Sequence, residues 1–124
     1  MMPGIHAELK DLHSPDALDL TTYIPEDPTC FSLLVEASIG VAGGKGADIF
    51  SFIVCTPAWV EHLLDNNRHL WGHHYLLLSR YDYRQLEGII RHLCVRAEGP
   101  DWDSVARFLA RYGAWEFEDY RESL

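Results

Sequence analysis

Two strand-like segments joined by a glycine-rich stretch constrain this fold most. Apolar and other residues alternate over residues 30–39, as expected for a strand with one buried face. In Asp48–Cys55 both alternating sets are largely apolar, which is typical of a central strand covered on both faces. Residues 40–46 contain four glycines and predict the tip of a hairpin. The sheet is therefore expected to form around this antiparallel pair.

Capping residues and helical spacing predict three helices after the hairpin. Thr56-Pro57 combines an N-cap with a proline suited to the first helical position. Asp82 begins the clearest helix, and Gln85 completes a capping box. A third helix follows the break at Gly99-Pro100, and Gly113 is expected to end it in a left-handed conformation.

Three further segments are predicted as strands, at residues 5–12, 74–79 and 115–120. The predicted order is β-β-β-α-β-α-α-β. Such an order predicts an α+β fold with a mainly antiparallel sheet of about five strands and about three helices packed on it. The length of 124 residues fits a single domain over residues 1–124.

Composition and cysteine usage favour a cytoplasmic protein. With 48% hydrophobic residues the chain can build a core without disulfides or metals. Its longest apolar run, residues 75–78, is far shorter than the about 20 residues that span a bilayer. The three cysteines, Cys30, Cys55 and Cys94, are odd in number and lack metal-motif spacing. They are interpreted as buried, reduced thiols, with a disulfide or a nucleophilic cysteine as alternatives.

The formal net charge of −9 restricts the classes of partner. It argues against nucleic-acid binding, which needs clustered Lys and Arg, and against an anionic membrane surface. It is compatible with a basic protein partner, because complementary charge accelerates association roughly 10 to 1,000-fold. Ordinary solubility charge is the alternative explanation, since a net charge of −9 is only slightly beyond the about 2–8 that is typical of a small domain.

No residue spacing assembles a catalytic site. His62, His69, His73 and His74 are close in sequence, and zinc could bridge His69 and His73 if one helix carried both. Trp71-Gly72 is predicted to interrupt that helix, and no third ligand is placed by spacing. Nucleophile, phosphate-loop and dinucleotide motifs are missing from the sequence. We therefore predict that the protein is not an enzyme and uses no cofactor. A small metal-dependent or hydrolytic enzyme is the minor alternative.

Five segments spread along the chain carry a family resemblance. They are Asp11-Leu-His-Ser-Pro-Asp16, Tyr23-Ile-Pro-Glu-Asp-Pro28, residues 50–59, Arg80-Tyr-Asp-Tyr83 and residues 111–120. In these segments the chain resembles the immunity protein 8 family of bacterial polymorphic toxin systems. The resemblance implies a cytoplasmic antidote that binds a cognate toxin C-terminal domain and blocks its active site or an essential surface. Turnover of a substrate is not implied.

The candidate contact residues come from the charge pattern, because the resemblance names none. Residues 13–29 form a long acidic loop, and loops of that length are often functional. In the terminal segment, acid is expected on the face opposite the aromatic residues, although strict alternation puts Asp119 on the aromatic side. The candidate partner-binding residues are Tyr23, Glu26, Asp27, Glu116, Glu118 and Asp119.

The expected partner is a basic toxin domain, because an acidic inhibitor can imitate a phosphate backbone at the active site of a toxin that attacks nucleic acid. The alternative is a homo-oligomeric structural or adaptor domain. In that case the final strand would pair with its twin across a two-fold axis and form a homodimer.

Overall fold

The computed structural model describes residues 4–118. Its elements are β1 (Ile5–His13), β2 (Ser32–Val41), β3 (Asp48–Cys55), α1 (Pro57–Asn67), β4 (Tyr75–Leu77), α2 (Tyr83–Arg96), β5 (Glu98–Gly99), α3 (Trp102–Leu109) and β6 (Ala114–Trp115). The predicted α+β class and order of elements are confirmed. The two-residue strand β5 is an addition that the sequence pattern did not predict.

The strands form one mixed, curled sheet in the order β4-β3-β2-β1-β5. The pairs β1–β2, β2–β3 and β1–β5 are antiparallel, whereas β3 and β4 are parallel. Strand β6 also pairs with β3, with Trp115 opposite Phe50. Because β2 occupies one edge of β3 along its length, β4 and β6 share the other edge. Strand β3 therefore has hydrogen-bonded neighbours along both of its edges.

The core lies on one face of the sheet. Val35, Ile39 and Phe50 are fully buried there and belong to the same apolar cluster as Leu86 and Ile90 of α2. The opposite face is only partly covered, since most of the intervening residues of β2 and β3 have intermediate burial, although Cys55 at the end of β3 is buried. Helix α1 contributes no buried residue. The prediction that β3 is covered on both faces therefore holds in full for one face and in part for the other.

The caps of the helices follow local rules with one exception. The carboxylate of Asp82 accepts a hydrogen bond from the Gln85 N–H at 3.2 Å, which confirms the predicted start of α2. Thr56 occupies the N-cap position of α1, but its side chain caps nothing. The Thr56 hydroxyl instead accepts from the Phe31 N–H at 3.2 Å. It therefore joins the segment before β2 to the end of β3.

Gly113 is required for packing rather than for a helix cap. The backbone of Gly113 is not left-handed, and α3 ends earlier, with Ala110 as its helical C-cap. A Cβ at Gly113 would lie 2.5 Å from the ring of Phe52. The prediction of a left-handed cap is wrong because contact between distant residues, not local geometry, selects glycine here.

The final strand is much shorter than predicted. Strand β6 is Ala114–Trp115, and the following residues turn, with the Glu118 N–H donating to the Trp115 carbonyl at 2.9 Å. Strict alternation therefore does not apply after Trp115. Asp119 and Tyr120, the last two residues of the predicted strand, lie outside the described residues.

Candidate functional site

The segment between β1 and β2, residues 14–31, is a long loop held by Tyr81. The Tyr81 hydroxyl donates to the Leu20 carbonyl at 2.6 Å, and the Tyr81 N–H donates to the Pro28 carbonyl at 2.9 Å. The Tyr81 ring also makes edge contacts with Tyr23 and Phe31, at centroid distances of 5.2 and 5.5 Å. One aromatic residue just before α2 thus holds both halves of the loop.

Burial, and then the neighbouring Tyr23, raise the pKa of Tyr81 to about 12. The hydroxyl therefore stays protonated and keeps donating throughout the physiological pH range. Leu20, whose carbonyl accepts this hydrogen bond, has a buried side chain that also holds the loop in place. The loop backbone is consequently tied to the core at its middle as well as at its ends.

Two aspartates shape the loop locally. Asp19 Oδ1 accepts from the Thr21 N–H and hydroxyl at 2.9 and 2.6 Å. Asp27 Oδ1 accepts from the Thr29 N–H and hydroxyl at 2.9 and 2.8 Å. The threonine hydroxyls, followed by the amides, lower the pKa of both carboxyl groups. Both exposed side chains are therefore negatively charged at neutral pH, in fixed Asp-turn geometry.

The loop presents aliphatic side chains among these acids. Leu18 is fully exposed, and Ile24 is 80% exposed. Single exposed apolar residues are common on protein surfaces. Here, however, the backbone beneath them is fixed, and every acidic residue of the loop is exposed. We define the acidic loop surface by these exposed side chains: Asp16, Leu18, Asp19, Ile24, Glu26 and Asp27.

The predicted contact residues of the loop differ in their positions. Glu26 and Asp27 are exposed on the acidic loop surface. Tyr23 is half-buried against Tyr81 and the core, so it supports the loop from beneath. The sequence pattern did not single out Leu18 and Ile24, although each is an aliphatic residue within an acidic segment.

The terminal candidates belong to another part of the molecule. Glu116 Oε1 accepts from the Ile49 N–H at 3.0 Å, and the Glu116 N–H donates to the Ile49 carbonyl at 3.0 Å. Nearby, Asp48 Oδ2 accepts from the indole N–H groups of Trp102 and Trp115 at 2.8 and 3.0 Å. The Glu116 side chain thus completes the edge of β3, and exposed Glu118 follows it.

The two groups of candidates lie at opposite ends of β3. The loop adjoins Thr56, just after the strand, whereas Glu116 binds Ile49 near its start. The seven steps between the eight residues of β3, at about 3.3 Å each, separate these ends by roughly 23 Å. The structure therefore does not bring Glu116 and Glu118 together with Glu26 and Asp27.

The histidines do not form a recognisable metal centre. Helix α1 ends at Asn67, before His69, and Arg68 adopts a left-handed conformation with φ 65°. His74 Nε2 lies 3.1 Å from the Ala110 carbonyl oxygen. Among residues 4–118, no three His, Cys, Asp or Glu side chains are grouped closely enough to hold a metal ion.

The cysteines are free, and two of them are fully buried. Cys55 and Cys94 lie in the interior, and Cys30 is partly exposed. Burial raises the pKa of Cys94 to about 11 and also raises that of Cys55. These two thiols are therefore protonated and weakly nucleophilic at neutral pH. The predicted burial is confirmed for Cys55 and Cys94.

Comparison with known proteins identifies the family. In the described part of the chain, every helix is too short or too polar to cross a bilayer. Searches of the curated proteins and of the solved structures returned no match. The family model described as immunity protein 8 matches residues 7–120, nearly the whole length. The chain therefore belongs to the immunity protein 8 family.

Proposed function

We propose that this protein neutralises a cognate bacterial toxin domain in the cytoplasm by direct stoichiometric binding, without turning over a substrate. Membership of the immunity protein 8 family supports a toxin partner in general. The observation that carries the proposal further is the acidic loop surface, where the exposed Leu18 and Ile24 stand among four exposed acidic residues on a fixed backbone.

The charge of this loop favours a basic toxin. Residues 14–31 contain four acidic side chains and no Lys or Arg. A surface of one sign steers an oppositely charged partner into register and discriminates against others. Leu18 and Ile24 would supply the desolvated anchors that contribute most of the affinity in protein interfaces.

The contacts of Tyr81 would also favour binding. Ordering a flexible loop on association costs free energy, and a loop that is already ordered avoids much of that cost. Leu20 and Pro28 receive hydrogen bonds from Tyr81, and Tyr23 packs on its ring. We therefore assign Glu26 and Asp27 a direct role in contact and Tyr23 a supporting role.

Glu116, Glu118 and Asp119 are proposed as a second contact region. An interface usually buries about 800 Å² on each partner. An interface that included both this region and the acidic loop surface would have to extend along the whole of β3. The acidic loop surface is accordingly the primary site.

The test is affinity purification from a lysate of the native cells, with bound proteins identified by mass spectrometry. We expect recovery of one toxin domain at equal stoichiometry, with less recovered at high salt because salt screens exposed charges. A bait carrying Glu26→Lys and Asp27→Lys should recover much less.

The matched control bait carries Glu61→Lys and Asp65→Lys on the exposed face of α1, which changes the net charge equally. Equal losses with both baits would mean that only net charge matters. Undiminished recovery with the loop variant would remove the loop from the interface.

The homo-oligomeric adaptor built on the final strand has less support. Strand β6 has only two residues, and its pairing with β3 already uses one of its edges. Up to Glu118, the last residue that the structure describes, this segment forms no long unpaired strand of the kind that such a dimer needs.

A further inference from the structure

A large groove lies beside α2. Its volume is about 550 Å³, and it lies between α2, β4 and Tyr112. Phe52, Leu76 and Ile90 form its apolar floor. The size falls within the range of about 300–1,000 Å³ that ligand sites occupy. We call this concavity the α2 groove.

The rim of the α2 groove is cationic in a protein that is strongly acidic. Arg84, His92 and Arg96 line it, and no Asp or Glu does. Arg96 donates to the Tyr112 hydroxyl at 3.3 Å and stacks over that ring at 5.7 Å. The exposed guanidinium group of Arg84 makes no ion pair or hydrogen bond with residues 4–118. An occupant with acidic and apolar side chains would complement the cationic rim and the apolar floor of the groove.

A glycine in the middle of α2 gives an independent indication. Gly88 lines the groove, and a Cβ built on it would have no atom within 4 Å. Glycine inside a helix is roughly 1 kcal/mol less favourable than alanine. Contacts within the described chain do not require it there. Close approach of another backbone would require it, because only glycine leaves that space open.

The acidic loop surface has the chemistry that this groove lacks. It combines exposed Leu18 and Ile24 with exposed carboxylates and carries no cation. Residues 80–96 contain four arginines and two acidic residues, so the charges are complementary. We propose that the α2 groove of one copy receives the acidic loop surface of a second copy. Ile24 would then lie near Gly88, and a carboxylate of the loop would lie near Arg84.

The positions of loop and groove allow a reciprocal exchange. Tyr81 holds the loop, and Arg84, three residues later, lines the groove. In a two-fold dimer each copy can therefore offer its loop to the groove of the other. This homodimer goes beyond the proposed toxin binding. Because it uses the same loop, a second copy and the toxin would compete.

Sedimentation velocity of the full-length protein without toxin tests the dimer. We expect a reversible monomer–dimer equilibrium. Gly88→Leu fills the groove, and Ile24→Asp removes the apolar anchor from the loop. Each should weaken the dimer about 30-fold, as loss of an interface hot spot does. Val95→Asp is the matched control, because Val95 is an exposed aliphatic residue of α2 outside the groove.

Mixing the two variants distinguishes this dimer from any other. A heterodimer of Gly88→Leu and Ile24→Asp keeps one intact loop and one intact groove, so association should be partly restored. Circular dichroism and thermal unfolding check that both variants fold. A wild-type protein that stays monomeric, a dimer that resists either variant, or a mixture without restoration would each overturn the proposal. Toxin capture is measured separately, so failure here leaves the proposed function standing.

Discussion

The Tyr81 hydroxyl reaches across 61 positions of sequence to donate to the Leu20 carbonyl at 2.6 Å. This bond joins the start of α2 to the middle of the loop that carries the exposed acids. The loop is therefore shaped by a residue outside it. Tyr81→Phe keeps the ring packing and removes only the hydroxyl.

We expect Tyr81→Phe to lower the free energy of unfolding by about 1 kcal/mol, the usual contribution of one hydrogen bond. Toxin capture should fall by more than this change in the free energy of unfolding implies, because the loop would be less ordered before binding and would have to be ordered on association. Urea unfolding and hydrogen exchange of the loop amides measure the two effects. Tyr83→Phe is the control, since the Tyr83 hydroxyl donates to Glu87 on α2 instead. Unchanged exchange in the Tyr81 variant would contradict this role.

The Asp19 and Asp27 turns predict a stability that depends on pH. Hydrogen bonds lower the pKa of both carboxyl groups in the folded state. Their contribution is therefore present above the unfolded pKa of about 3.9 and is lost as pH falls through the lower folded values. Asp27→Asn should reduce the fall in urea midpoint between neutral and acidic pH. Asp65→Asn on α1 should reduce this pH-dependent fall less. An equal fall in urea midpoint in the two variants would argue against a contribution of the Asp27 turn to stability.

The close approach of Gly113 to Phe52 predicts sensitivity to one methyl group. Gly113→Ala would place a Cβ 2.5 Å from the Phe52 ring. The resulting overpacking should destabilise the fold by about 1–3 kcal/mol. Gly88→Ala is the contrasting control, because its Cβ enters open space and should stabilise α2 by up to about 1 kcal/mol. Urea midpoints that shift equally would contradict the packing explanation.

Asp48 binds two indole groups and should stabilise the end of the sheet. Its Oδ2 accepts from Trp102 and Trp115. Asp48→Ala leaves both donors without this acceptor, and we expect a loss of about 2 kcal/mol. Asp48→Asn retains a carbonyl oxygen and should lose less. Chemical unfolding followed by tryptophan fluorescence compares them, and indistinguishable variants would show that the acceptor is unimportant.

Local patterns predicted much of the fold. Alternation and glycines identified the β2–β3 hairpin, and Asp82 with Gln85 identified the start of α2. These signals depend on residues that are close in sequence. The two-residue strand β5 and the return of Glu116 to Ile49 depend on partners far along the chain. No local period contains that information.

The candidate site was predictable only in part. The acids of the loop are evident from sequence, and Glu26 and Asp27 are exposed in the structure. The half-buried position of Tyr23 follows from its contact with Tyr81, which no spacing indicates. Leu18 and Ile24 are exposed whereas Leu20, which lies between them in sequence, is buried, and no spacing indicates this difference either. The roles of all these residues in binding stay predictions.

Neutralisation by stoichiometric binding is tested most directly by titrating the captured toxin domain with this protein while measuring toxin activity. We predict that activity falls in proportion to the protein added and reaches its minimum at one molecule per toxin domain. Activity that persists in the presence of excess protein would contradict neutralisation. Inhibition that is complete at far below equal amounts would contradict binding without turnover.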